Sequence, residues 1–228
     1  MEILIILTSS LKTSVIEVNT LSYNIAESIA KTLEKSIAIR GSATLVVSGG
    51  NSPLEIFHCL NNMRIPWSKI EIILGDDRLL DPINVDSNEK LILENLMINK
   101  ASKASYISLV DPELLPSDLT YPFDVVLLGM GLDGHFASLF PELLGNEALF
   151  DINANQDFYL SDIPLGDPSY QRITMTLSML LNTQRCILLV SSAAKRMVLD
   201  RAKEDKSLPV HHLLNQNKLT VEFSDINF

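Results

Sequence analysis

Near-continuous apolar runs alternating with helical patterns predict an α/β protein, with a mostly parallel sheet covered by helices on both faces. The runs at 43–47, 70–74, 123–128 and 185–190 lack polar alternation, as strands buried on both faces do. Helix-type spacing falls between them. Polar residues and glycines gather where the runs stop, which is where open parallel sheets bind ligands.

The elements follow in chain order. Met1-Glu2-Ile3-Leu4-Ile5-Ile6-Leu7 is too short to cross a membrane and lacks a basic flank, so it reads as a buried strand. Ala43-Thr44-Leu45-Val46-Val47 is rich in β-branched residues and ends at Ser48-Gly49-Gly50. Pro53 suits a first helical turn, with Asn51 or Ser52 as a cap and Leu54, Ile56, Phe57 and Leu60 as the apolar face. The strand at 70–74 stops at Gly75-Asp76-Asp77-Arg78. Ser87 is placed to cap a helix carrying Leu91, Ile92, Leu96 and Met97. The run at 123–128, apolar except for Asp124, ends at Gly129. A strand at 185–190, a helix at 193–203 and a closing strand at 219–223 complete the pattern. The proline-rich stretch 111–122 reads as a loop, and the Asn-rich stretch 143–167 as a lid or rim. With no internal repeat, residues 1–228 read as one domain.

The chain carries 18 Lys and Arg against 28 Asp and Glu, a formal charge of −10. That balance argues against nucleic acid and anionic membrane as partners, since both demand clustered cations. A single phosphorylated metabolite needs only two or three local cations and is not excluded. Cys59 and Cys186 lie in apolar runs and read as buried free thiols, in keeping with a cytoplasmic location. The adjacent His211 and His212 are poor evidence for a metal.

Four segments carry chemistry. Ser48-Gly49-Gly50-Asn51-Ser52-Pro53 joins strand to helix, where glycines admit a close ligand and exposed amides favour phosphate. Gly75-Asp76-Asp77-Arg78 offers two carboxylates and a guanidinium at a strand exit. Gly129-Met130-Gly131-Leu132-Asp133-Gly134 matches a dinucleotide fingerprint in form only, because Pro141 denies it the required long helix. The same stretch presents Asp133-Gly134-His135, a carboxylate and an imidazole two residues apart, suited to proton transfer from water. Arg172 and Lys195 are candidate phosphate partners, although either alone also reads as a surface cation.

Taken together, these blocks resemble the 6-phosphogluconolactonases of the glucosamine-6-phosphate deaminase/lactonase superfamily. The blocks are Ser48 to Pro53, Asp76-Asp77-Arg78 with Asp86-Ser87-Asn88, the run GMGLDGHFASLFP from Gly129 to Pro141, and Arg172-Ile173-Thr174, with Lys195 beyond. The resemblance implies a Rossmann-like (NagB/RpiA/CoA transferase-like) fold. It implies hydrolysis of 6-phospho-D-glucono-1,5-lactone in the oxidative pentose phosphate pathway, without metal or organic cofactor. His135 would be the general base and Asp133 its orienter. Gly49, Gly50, Asn51, Ser52, Asp76, Arg78, Gly131, Arg172 and Lys195 would hold substrate or phosphate, with the amide of Gly131 or Gly134 facing the oxyanion. The chain departs from the lactonase pattern at Asp77, usually Glu, at Asn51-Ser52, and at Phe136, usually Thr. In the deaminase branch a Glu precedes the proline and a Tyr replaces the arginine. Here those positions are Phe140 and Arg78, which favours the lactonase. A non-catalytic sugar-phosphate sensor is the remaining reading. The motifs are compatible with a monomer and specify no oligomeric state.

Overall fold

The computed structural model describes residues 20–111, 113–155 and 158–225. The strand expected at Met1–Leu7 lies outside them. The described chain runs α1 (Thr20–Arg40), β1 (Ala43–Val47), α2 (Leu54–Leu60), β2 (Ile70–Leu74), β3 (Asp76–Arg78), α3 (Asn88–Asn95), β4 (Ser105–Ile107) and β5 (Val125–Leu128). It continues with β6 (Phe158–Leu160), β7 (Arg172–Met175), α4 (Leu177–Leu180), β8 (Cys186–Leu188), α5 (Ala193–Ala202), α6 (Val210–Leu214) and β9 (Val221–Phe223).

Six strands form one sheet in the order β4-β2-β1-β5-β8-β9, and every pair is parallel. Burial explains the apolar runs, since all five residues of β1 and all four of β5 are buried. From β1 the chain adds strands to one side, and from β5 to the other. The sheet thus reverses direction between the neighbours β1 and β5, and the crevice beyond their carboxyl ends is the place such sheets reserve for ligands. Those ends are Ser48-Gly49-Gly50 and Gly129-Met130-Gly131.

Several expectations hold locally. Ser87 caps α3, its side chain accepting from the Lys90 N–H. No long helix follows Gly134; a short 3-10 turn begins at Pro141 instead. Others need correction. The chain does not leave strand structure after Gly75, because Asp76–Arg78 is a further strand paired antiparallel with β7 in a second sheet, ordered β3-β7-β6. The stretch 143–167 is not irregular throughout either: it contributes β6 to that sheet and buries Leu149 and Phe150. Neither Asn51 nor Ser52 caps α2; Pro53 holds the cap position without a side-chain bond. Cys186 is a buried free thiol, whereas Cys59 is only half-buried. Among the described residues no helix is long and apolar enough to cross a membrane.

Candidate active site

A cavity of about 350 Å³ opens at the crevice between β1 and β5. Gly49, Gly50, Asn51, Ser52, Asp76, Arg78, Gly131, His135, Arg172 and Lys195 all line it. Asp133 stands behind His135. Ser52 and Lys195, 143 residues apart in sequence, meet here because the two sheets converge on this crevice.

The pleat sorts the acidic motif. Side chains alternate across a strand, so Asp76 and Arg78 face the cavity and Asp77 points away from it. Asp77 accepts from the backbone N–H groups of Arg78 (2.7 Å), Asn88 (2.7 Å) and Glu89 (2.9 Å), anchoring the start of α3. Burial pushes its carboxyl up to about 6 despite those bonds. Asp76 accepts from the Ser138 hydroxyl at 2.6 Å, and the Ser138 N–H donates to Thr174 Oγ1 at 3.2 Å. The small sheet is therefore bolted to the loop that carries His135.

Across β3 and β7, Arg78 is the register partner of Arg172. Arg172 is no surface cation. It is 3% exposed, its Nε and Nη2 donate to Leu165 O, and Nη2 also donates to Pro168 O. Burial first, and then the Arg78 charge, hold Arg172 below its ordinary value. Lys195 follows the α5 cap Ser192 and donates from Nζ to Ser52 Oγ at 2.9 Å. Burial lowers its pKa as well. Three cations thus share one cavity, and no side-chain salt bridge is made by Arg78, Arg172 or Lys195 among the described residues.

The Ser48–Ser52 turn approaches closely because Gly49 has no side chain. A Cβ there would lie 2.0 Å from Asn88 Oδ1. Asn88 in turn donates to the Asp76 carbonyl at 3.1 Å. Among the described residues nothing takes the N–H groups of Gly49, Gly50, Asn51 or Ser52, so they are available to an anion.

His135 Nδ1 lies 2.6 Å from Asp133 Oδ1. A carboxylate only accepts, so the proton of the neutral ring sits on Nδ1 and Nε2 keeps its lone pair. Burial acts to raise the Asp133 pKa, but its hydrogen bonds and the His135 charge outweigh it and hold the carboxyl below its ordinary value. Gly131 lies directly beneath this pair. Its N–H donates to His135 O at 2.9 Å, and the Gly134 N–H donates to Gly131 O at 3.2 Å. Both amides are already used, which corrects the expectation that either faces an oxyanion. The site also includes Asn88, Ser138 and Phe140, which motif reading assigned no role.

Among the described residues no cluster of three or more His, Cys, Asp or Glu is placed to hold a metal. The family model describing glucosamine-6-phosphate isomerases/6-phosphogluconolactonase matches residues 17–221. A 6-phosphogluconolactonase from Caulobacter vibrioides is 34% identical over 202 residues, covering 83% of this chain and 85% of its own. One from Neisseria meningitidis is 32% identical over 206 residues, covering 84% and 88%. The crystal structure of a 6-phosphogluconolactonase from Shewanella baltica superposes with a TM-score of 0.80 at 32% identity, covering 90% of this chain and 92% of that one. This chain belongs to the glucosamine-6-phosphate isomerase/6-phosphogluconolactonase family.

Proposed function

We propose that this protein hydrolyses 6-phospho-D-glucono-1,5-lactone to 6-phospho-D-gluconate, a step of the oxidative pentose phosphate pathway in the cytoplasm. The observation that carries the reading is the 2.6 Å His135–Asp133 pair on a cavity that also holds Arg78, Arg172 and Lys195. One end of the cavity supplies a base and the other an anion site, as a phosphorylated ester requires.

In this mechanism His135 Nε2 takes a proton from water as the oxygen adds to the lactone carbonyl. Asp133 stabilises the imidazolium that forms. Collapse of the tetrahedral intermediate breaks the bond between C1 and the ring oxygen, and His135 returns its proton to that oxygen. The carboxylic acid product then ionises into solvent, and the enzyme is restored. Lys195, Arg78 and the Gly49–Ser52 amides hold the phosphate, with Arg172 behind them. The lactone is an activated ester, so the route calls on no electron sink.

The test generates the lactone in place from glucose 6-phosphate and follows 6-phosphogluconate above the spontaneous rate. A parallel assay follows ammonia from glucosamine 6-phosphate. Phe140 in place of an acidic residue and Arg78 in place of tyrosine argue that only the first will respond. Ammonia release would move the protein to the deaminase branch, and binding without turnover would make it a sensor.

A further inference from the structure

Phe140 joins the two halves of the cavity. Its ring stacks on the His135 imidazole, with centroids 4.2 Å apart and planes inclined by 30°. The Arg172 guanidinium carbon lies over the same ring, 5.5 Å from its centroid. Phe140 itself is 5% exposed, so the position is fixed by packing. Gly166 completes the arrangement with a positive φ of 78°; a Cβ there would lie 2.7 Å from Arg172 Nη2 and 2.9 Å from Phe140 Cζ.

An aromatic face carries negative potential and attracts a cation held above it. A general base enters the reaction as the neutral imidazole. During proton transfer the imidazole becomes a cation, and its attraction to the ring increases at that moment. An interaction stronger in the transition state than in the ground state accelerates the reaction. The Arg172 contact acts through the same ring on the anion-binding side.

We propose that Phe140 is a positioning residue whose π face stabilises the imidazolium form of His135 while bracing Arg172 for the substrate phosphate. The inference rests on the proposed general-base role of His135. The other charges around the imidazole are Asp133 on its own loop, Arg172 from β7, and Asp76, Arg78 and Lys195 across the cavity. From α6, which meets the loop through Val210 N–H and Gly134 O, His211 turns to Ala202 O and His212 to the Phe150 ring. An isosteric change at Phe140 leaves all of these in place.

The experiment replaces Phe140 with phenylalanines bearing one, two and three ring fluorines, which drain the π face while preserving the ring framework. The His135 imidazole is titrated by NMR in each protein, and the pH profile of kcat/KM is recorded beside it. With each fluorine the imidazole midpoint should move to lower pH, by about half a unit across the series. KM for the phosphorylated lactone should rise in step, while KM for unphosphorylated gluconolactone stays level. Phe140→Trp should restore the wild-type midpoint, and Phe140→Leu should fall with the most fluorinated ring. A midpoint that ignores fluorination overturns the proposal, whatever the enzyme's activity. An imidazole that responds in a protein without lactonase turnover would instead sustain the stacking and refute the proposed reaction.

Discussion

Arg78 and Arg172 stand directly opposite each other in the antiparallel pair of β3 and β7. Like charges at that register repel, and both side chains border the same cavity as Lys195. An anion placed there relieves the repulsion. The fold carries an unfavourable electrostatic arrangement that a bound phosphate would convert into a favourable one.

Ligand-induced stabilisation should therefore depend on phosphate. At about 100 times its Kd a ligand adds about 2.7 kcal/mol, which in a chain of this size raises Tm by roughly 5–10 °C. Thermal unfolding with 6-phosphogluconate should show that rise, gluconate should not, and Arg78→Ala should remove it. Equal stabilisation by gluconate would show that the cations do not read the phosphate.

Arg172→Ala should behave differently from a surface change. Its guanidinium satisfies the carbonyls of Leu165 and Pro168 in a buried setting. Leaving them unpaired costs about 1–3 kcal/mol, so Tm of the free protein should fall before any ligand is added. An unchanged Tm would mean that the 165–168 loop finds other donors.

His135→Ala should lower kcat by about 10²-fold or more, the usual contribution of an acid/base group, after subtraction of spontaneous hydrolysis. Asp133→Asn should cost less, because the amide oxygen still accepts from Nδ1 while the counter-charge is gone. The acid limb of kcat/KM should then move to lower pH, since the imidazolium is less stable. Stability carries its own signature. The Asp133 carboxyl is held below its ordinary value, so its contribution is present above about pH 3.9 and is lost as pH falls through the lower folded value. Asp133→Asn should flatten that part of the unfolding curve. A wild-type acid limb in Asp133→Asn would separate Asp133 from the base.

Much of this site is legible in sequence because β1 and β5 announce themselves. Each is a mostly apolar run with glycine within two residues of its end, and the switch-point rule then places the crevice. The second sheet is hidden for a physical reason. Asp76-Asp77-Arg78 is three polar residues long, and only the distant β7 makes it a strand. Nothing local distinguishes it from a turn. Without that pairing, the opposite directions of Asp76 and Asp77 could not be read, nor could the burial of Arg172. Helix α1 leaves a fainter trace, the row Ile25, Ile29 and Leu33 at i, i+4 and i+8, which lies before the first described strand. The oxyanion expectation failed because the Gly131 and Gly134 amides close their own loop.

Gly131 offers the sharpest test of how the base is held. A Cβ on it would lie 2.3 Å from His135 Cε1 and Nδ1 and 2.4 Å from Asp133 Oδ1. Its φ lies outside the left-handed region, so alanine meets no backbone penalty; the effect is steric and aimed at the base. Either the ring or the loop must shift, and a displacement near 1 Å at a reacting group costs about 10²-fold. Gly131→Ala should lower kcat by at least tenfold, with overpacking costing about 1–3 kcal/mol of stability. KM should change little, because the cations are carried by β3, β7 and α5 and not by this loop. Gly145→Ala is the matched control, since a Cβ there meets nothing within 4 Å and its φ also lies outside that region. Should Gly131→Ala retain wild-type kcat, the close packing of Gly131 beneath His135 and Asp133 would not be what fixes the base. If kcat falls and KM rises together, the loop has moved as a body and carried the phosphate side with it.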